Sequence, residues 1–225
     1  VRKHKYFGNL REKYNIPLNA EVIGRHGGKD TFDINFVKDA IIEVVQNNEN
    51  IYFLFLNTKR FSNHKNIIFI NTFLDDKELN AFIDTCDGMI HARKDGETFG
   101  LAPAEFSAAN KPVITFNLSK DREHIKILNQ KAILYENEAD LIKIFKNFSN
   151  IKNSRIDWNG YRDYEPENVM KKFKRLCLIP QNDSLLKKLK VFLIDLPWEI
   201  RIINSLLLAY AKSIKTKCLS SFLPI

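Results

Sequence analysis

The stretch GETFGLAPAEFSAANKPVIT, residues 96–115, decides the fold. It opens in a charged loop, passes into a run of small residues with helical character, and ends in an apolar, β-branched segment. Glu97 and Glu105 are separated by the seven residues from Thr98 to Ala104, none of them charged. A helix is expected over 101–109. At about 1.5 Å of rise per residue, Leu101 to Glu105 advances only about 6 Å, so both carboxylates can border one crevice. Pro103 is compatible with this helix only in the first turn, where no amide bond is lost. The N–H groups of Phe99, Gly100 and Leu101 are then left to face an anion.

Outward from this unit, short apolar runs alternate with helical periodicity, the pattern of a parallel α/β sheet. Strands are expected at 21–25, 51–56, 67–70, 88–92, 112–116 and 132–135. Phe32, Phe36, Ala40 and Val44 fall on one face of a first helix, residues 57–66 read as a loop, and Asp75 with Glu78 forms a capping box for a second helix. Further helices are expected at 121–129, 138–148 and 166–178. Six strands with helical crossovers predict a doubly wound, Rossmann-like sheet in the order 3-2-1-4-5-6, with a site outside the carboxyl ends of strands 1 and 4. There the sequence places its two most charged loops, Arg25–Thr31 and His91–Glu97.

In the first loop, GRHGGKDTF, Gly27 and Gly28 allow close backbone approach, and Arg25 and Lys29 add positive charge, a set suited to a phosphate or diphosphate. It is neither a Walker A loop, since Asp30 stands where Ser or Thr would hold magnesium, nor Gly-x-Gly-x-x-Gly. A glycine turn with solvated charges is the alternative. His91 reads as a contact at the crevice or as a partner for backbone. His26 and Arg93 read equally well as solvated, and His64 and His124 show no companion. The run IYFLFL reads as core, while Asn71 and Thr72 border the base of a nucleotide or a plain loop. An anion site flanked by two carboxylates suits a diphosphate between hydroxyl-rich rings, which is a nucleotide sugar.

With 44% hydrophobic residues, the chain can bury a real core. The net charge of +8 lies in the tail, because residues 171–225 carry 11 Lys and Arg against 3 Asp and Glu. The balanced body argues against nucleic acid. Three widely spaced cysteines and the absence of a leader predict a cytoplasmic chain without disulfides or a structural metal. Residues 1–20 are expected to be a linker remnant and 21–180 the ligand-binding domain. Residues 181–225 are expected to form a basic amphipathic helical tail, packed on a domain or lying on an anionic membrane.

The stretch 96–115 resembles the donor-site segment of the retaining GT-B glycosyltransferases of group 1. The shared features are two glutamates seven residues apart, a small-residue helix, and the Lys111-Pro112-Val113-Ile114 strand entry. IGRHGG is similar to the arginine-bearing loop of the same C-terminal domain. The resemblance implies that Glu97 touches the donor sugar and Glu105 the ribose, and that Arg25 and Lys29 neutralise the diphosphate. The amides of Phe99, Gly100 and Leu101, with Gly27, Gly28 and His91, would complete the donor site. It implies transfer with retention, no metal or cofactor, and a glycan, lipid-linked or protein acceptor. An N-terminal acceptor-binding domain, covalent or separate, would complete the cleft. A non-catalytic sugar-nucleotide or glycan-binding module is the second reading. A glycoside hydrolase would have no use for the cationic loop.

Overall fold

In the computed structural model the described residues are 5–70 and 75–178. Among the described residues eight strands form: β1 (Glu21–Arg25), β2 (Ile51–Leu56), β3 (Ile67–Ile70), β4 (Gly88–His91), β5 (Gly96–Glu97), β6 (Val113–Phe116), β7 (Asp121–Arg122) and β8 (Ala132–Tyr135). Six of them build one sheet in the order β3-β2-β1-β4-β6-β8, every pairing parallel. This is the doubly wound order expected from the sequence. β5 and β7 form a separate parallel pair that the sequence reading did not anticipate.

The helices are α1 (Asn35–Asn47), α2 (Asp76–Thr85), α3 (Leu101–Ala108), α4 (Glu123–Leu128), α5 (Glu138–Lys146), α6 (Phe148–Asn153) and α7 (Pro166–Phe173). The capping box of α2 is present: the Asp75 carboxylate accepts from Lys77 and Glu78 N–H, and Glu78 reaches back to the Asp75 N–H. α1 begins later than the periodicity suggested. Phe32 is buried before the helix starts, and Asp33 is bound to the β4 end, where its N–H donates to Ala92 O and its carboxylate accepts from Lys94 N–H. The Gly-Gly turn therefore does not run straight into a helix N-terminus.

The alternation of side chains along the strands divides the core between the two faces of the sheet. Ile23, Ile51, Phe53 and Phe55 pack against α1 and α5 on one face. Val22, Leu54, Met89 and Val113 pack with Phe82 of α2 and Phe106 of α3 on the other. Residues from the N-terminal segment join this second layer, with Ile16 and Ala20 buried. There Arg11 ties the segment down, bonding Pro17 O, Ala20 O and Asp87 Oδ2. The compact unit extends to Lys171, and a second unit runs from Lys172 onward. Residues 71–74 and 179–225, including Asn71, Thr72 and the basic tail, lie outside the described residues.

Candidate functional site

The loop after β1 meets α3 at Glu105 and Phe106, and the segment after β4 leads into the first turn of the same helix. Arg25, the last residue of β1, is only 4% exposed. Its guanidinium donates to Leu56 O (3.5 Å), Asn57 O (3.1 Å), Thr58 Oγ1 (2.6 Å), Gly28 O (2.7 Å) and Thr31 Oγ1 (2.8 Å). Its flat face lies 5.7 Å from the centre of the Phe32 ring. Burial lowers its pKa to about 10, against the opposing pull of Glu97, so it remains a cation at neutral pH. Arg25 thus builds the loop from within. Its hydrogen-bond acceptors are carbonyls and hydroxyls, so the site keeps its positive charge. Lys29, by contrast, is exposed at the loop tip and has no ion-pair partner among the described residues. The carbonyls of Gly27 and Gly28 turn back to the protein, accepting from Asn57 Nδ2 and Arg25 respectively.

Glu97 is positioned by the β5–β7 pair, in which Gly96 lies opposite Asp121 and Glu97 opposite Arg122. Its Oε1 is 3.7 Å from His91 Nε2 and 2.9 Å from Arg93 Nη1. The Arg93 guanidinium, hydrogen-bonded to it, holds the Glu97 carboxyl below the usual carboxylate range, against partial burial. The group is ionised throughout the physiological range.

Behind Glu97, Thr115 Oγ1 lies 2.9 Å from His91 Nδ1 and 3.0 Å from His124 Nε2. His124 Nδ1 lies 3.2 Å from the Glu97 carbonyl. Burial, and then the nearby His91, lower the His124 pKa from 6.5 to about 4. Between these values the unfolded chain binds a proton that the folded ring refuses, so stability is full above pH 6.5 and falls as pH drops toward 4. Glu97 acts in the same sense at lower pH, its contribution being present above its ordinary 4.5 and lost toward 2. Thermal unfolding should therefore show a melting temperature that declines between pH 6.5 and 4 and is restored in part by His124→Gln. A flat profile would contradict this assignment.

The N-terminus of α3 lies beside Glu97 and His124. Gly100, the cap residue, has φ +78°, and no side chain caps the helix. The first-turn N–H groups have no intrahelical acceptor, and Pro103 contributes none. Tyr161 donates its hydroxyl to Phe99 O, fixing the peptide that leads into the helix. The Phe99 ring packs edge-on against Tyr161 and Tyr164, with centroids 5.3 and 5.2 Å away, so Phe99 offers the site its backbone alone. The Leu101 side chain is 69% exposed. Glu105 projects from the helix so that its Oε2 lies 3.0 Å from His26 Nε2. His26 stacks on Phe106 at 5.7 Å, and its buried Nε2 makes no hydrogen bond of acceptable angle.

Arg25 and His91 thus end β1 and β4, Glu97 lies in β5, Gly27, Gly28 and Lys29 lie in the loop after β1, and Phe99–Leu101 and Glu105 lie at the start and in the second turn of α3, beyond the carboxyl ends of the central strands. Arg93, which read equally well as a site residue or as solvated, is paired with Glu97, and one expectation changes: His124, which the sequence left without a companion, belongs with His91 and Thr115. The signal was the β4–β6 register, which sets His91 directly beside Thr115. No group of His, Cys, Asp and Glu among the described residues could hold a metal ion. Nor is any helix among them long and apolar enough to cross a membrane.

The model of the family described as glycosyl transferases group 1 matches residues 5–161. No protein of curated function matches the chain in sequence. Among solved structures, Anabaena Alr3699/HepE, crystallised with UDP-glucose, is similar at a TM-score of 0.58 and 14% identity, over 74% of this chain and 50% of that one. WaaG, a glycosyltransferase involved in lipopolysaccharide biosynthesis, has a TM-score of 0.52 and 15% identity over 75% of this chain and 50% of its own. The C-terminal domain of the group 1 family protein LpcC from Francisella tularensis has a TM-score of 0.52 and 18% identity, over 72% of this chain and 90% of that domain. The chain spans about half the length of HepE and WaaG. These likenesses establish a shared fold.

Proposed function

The chain belongs to the glycosyl transferases group 1 family, and from that premise we propose that it is the donor-binding half of a glycosyltransferase that takes a nucleotide sugar and transfers the sugar with retention. The observation that carries this reading is the meeting of the β1 loop with α3. His26 of the loop touches Glu105 of the helix, and the α3 N-terminus, with no side-chain cap, lies beside the ionised Glu97. HepE, of the same fold, was crystallised with UDP-glucose, the class of ligand this arrangement suits.

In this reading Glu105 accepts hydrogen bonds from the ribose and Glu97 from the sugar. The diphosphate rests against the Gly100 and Leu101 amides and the Gly27-Gly28 turn. Negative charge grows on it as the sugar leaves, and Lys29, the buried Arg25 cation and the helix N-terminus stabilise that charge without reorganising. No metal is needed for this, because fixed cations and dipoles supply the neutralisation. The acceptor, whether glycan, lipid-linked or protein, approaches from a partner domain that excludes water from the cleft.

Calorimetric titration of UDP, GDP and ADP into the full chain tests donor binding. One of the three should bind, and Glu105→Ala should weaken it by roughly 10- to 100-fold, the range for a charge-assisted hydrogen bond. Absence of binding by all three contradicts the reading.

A further inference from the structure

The hydrogen-bond chain behind Glu97 has a fixed direction. A carbonyl only accepts, so His124 Nδ1, which faces Glu97 O at 3.2 Å, carries a hydrogen. His124 is completely buried and has no carboxylate on either nitrogen, so the ring holds one proton and its Nε2 is a lone pair. The Thr115 hydroxyl, 3.0 Å away, must donate its single hydrogen to that lone pair. It can then only accept from His91 Nδ1 at 2.9 Å. His91 is left with its proton on Nδ1 and, in the neutral ring, a lone pair on Nε2. That nitrogen stands 3.7 Å from Glu97 Oε1, too far for a direct hydrogen bond.

We infer that Thr115 and His124 are positioning residues that hold His91 in its Nδ1–H form, so that His91 Nε2 and the Glu97 carboxylate make a two-acceptor clamp for neighbouring hydroxyls of the donor sugar. This rests on the donor reading of the site. The alternative tautomer, with the proton on Nε2, would point a hydrogen at Glu97 and close the clamp from inside. Arg93 already occupies one lone pair of Glu97 Oε1, so a second internal donor would fill that oxygen and leave the ligand Oε2 alone. Thr115 and His124 touch no ligand in this account. Their effect is exerted through the ring they orient, as an outer partner fixes the tautomer of a ligating histidine.

The test has two parts, both on the full chain. Long-range proton–nitrogen NMR on protein with isotope-labelled histidine reads which nitrogen of each ring is protonated, without any ligand. His91 and His124 should both appear as Nδ1–H, and Thr115→Val should move His91 toward Nε2–H. In titrations, Thr115→Val should weaken UDP-glucose about tenfold and leave UDP unchanged, while Thr115→Ser, which keeps the hydroxyl, restores the wild-type affinity. His91 as Nε2–H in the wild type, or an equal loss for UDP and UDP-glucose in Thr115→Val, would overturn the inference. Failure of UDP, GDP and ADP alike to bind the wild type contradicts the donor reading instead, and the tautomer spectrum still decides the relay.

Discussion

Replacing Gly96 with alanine is expected to abolish donor binding and to lower the stability of the folded chain by about 3 kcal/mol or more. Gly96 has φ +72°, and a Cβ built on it would lie 1.8 Å from Asp121 O and 2.9 Å from the Ser119 Cβ. Neither neighbour can yield, because the Asp121 backbone is itself bonded to Asp95 O. The chain must therefore separate β5 from β7, and Glu97 loses the strand that holds it. Gly100 makes the useful comparison. Its φ is similar, +78°, but an added Cβ would meet His124 Cβ and Pro103 Cγ at 3.2 Å, which small shifts relieve. Gly100→Ala should cost about 1–2 kcal/mol. Urea unfolding of both variants checks the order, and a Gly96→Ala protein as stable as the wild type would show that the β5–β7 pair does not form.

The second large effect belongs to Arg25. Truncation to alanine removes the donor that three carbonyls and two threonine hydroxyls share, with an expected cost of about 3–5 kcal/mol. Lys29→Ala removes a charge that has no ion-pair partner among the described residues, so its melting temperature should stay near that of the wild type while UDP binds about tenfold more weakly. The pair separates two ways a cation can serve a diphosphate. Arg25 shapes the loop and keeps its charge buried behind it, and in the proposed reading the exposed Lys29 is the cation that reaches the ligand. Thermal unfolding and titration on both variants distinguish them, and a thermally unaffected Arg25→Ala would contradict the role inside the loop.

Much of this fold could be read from the sequence because its strands are buried on both faces. The run Ile51–Leu56 is apolar throughout, as a central parallel strand must be, and its bounds, like those of the edge strand Ile67–Ile70, agree with the structure. The α2 capping box was equally legible, since it depends on two residues three apart. What could not be read depends on contacts between distant segments. α1 begins at Asn35 because Asp33 is committed to Ala92 and Lys94, far along the chain. The β5–β7 pair rests on two residues from each strand, too few for any periodicity. Arg25 looks like a ligand for an anion in sequence, and only the fold brings the Leu56, Asn57 and Thr58 acceptors to it. His124 acquires meaning through Thr115, which stands beside His91 by sheet register.

The central claim is a division of labour, with Glu105 on the nucleotide and Glu97 on the sugar. Calorimetric titration of UDP and UDP-glucose into the full chain, Glu105→Gln and Glu97→Gln tests it most directly. Glu105→Gln should weaken both ligands by the same factor, roughly 10- to 100-fold, and Glu97→Gln should weaken UDP-glucose alone. Equal weakening of UDP and UDP-glucose by Glu97→Gln would contradict the account.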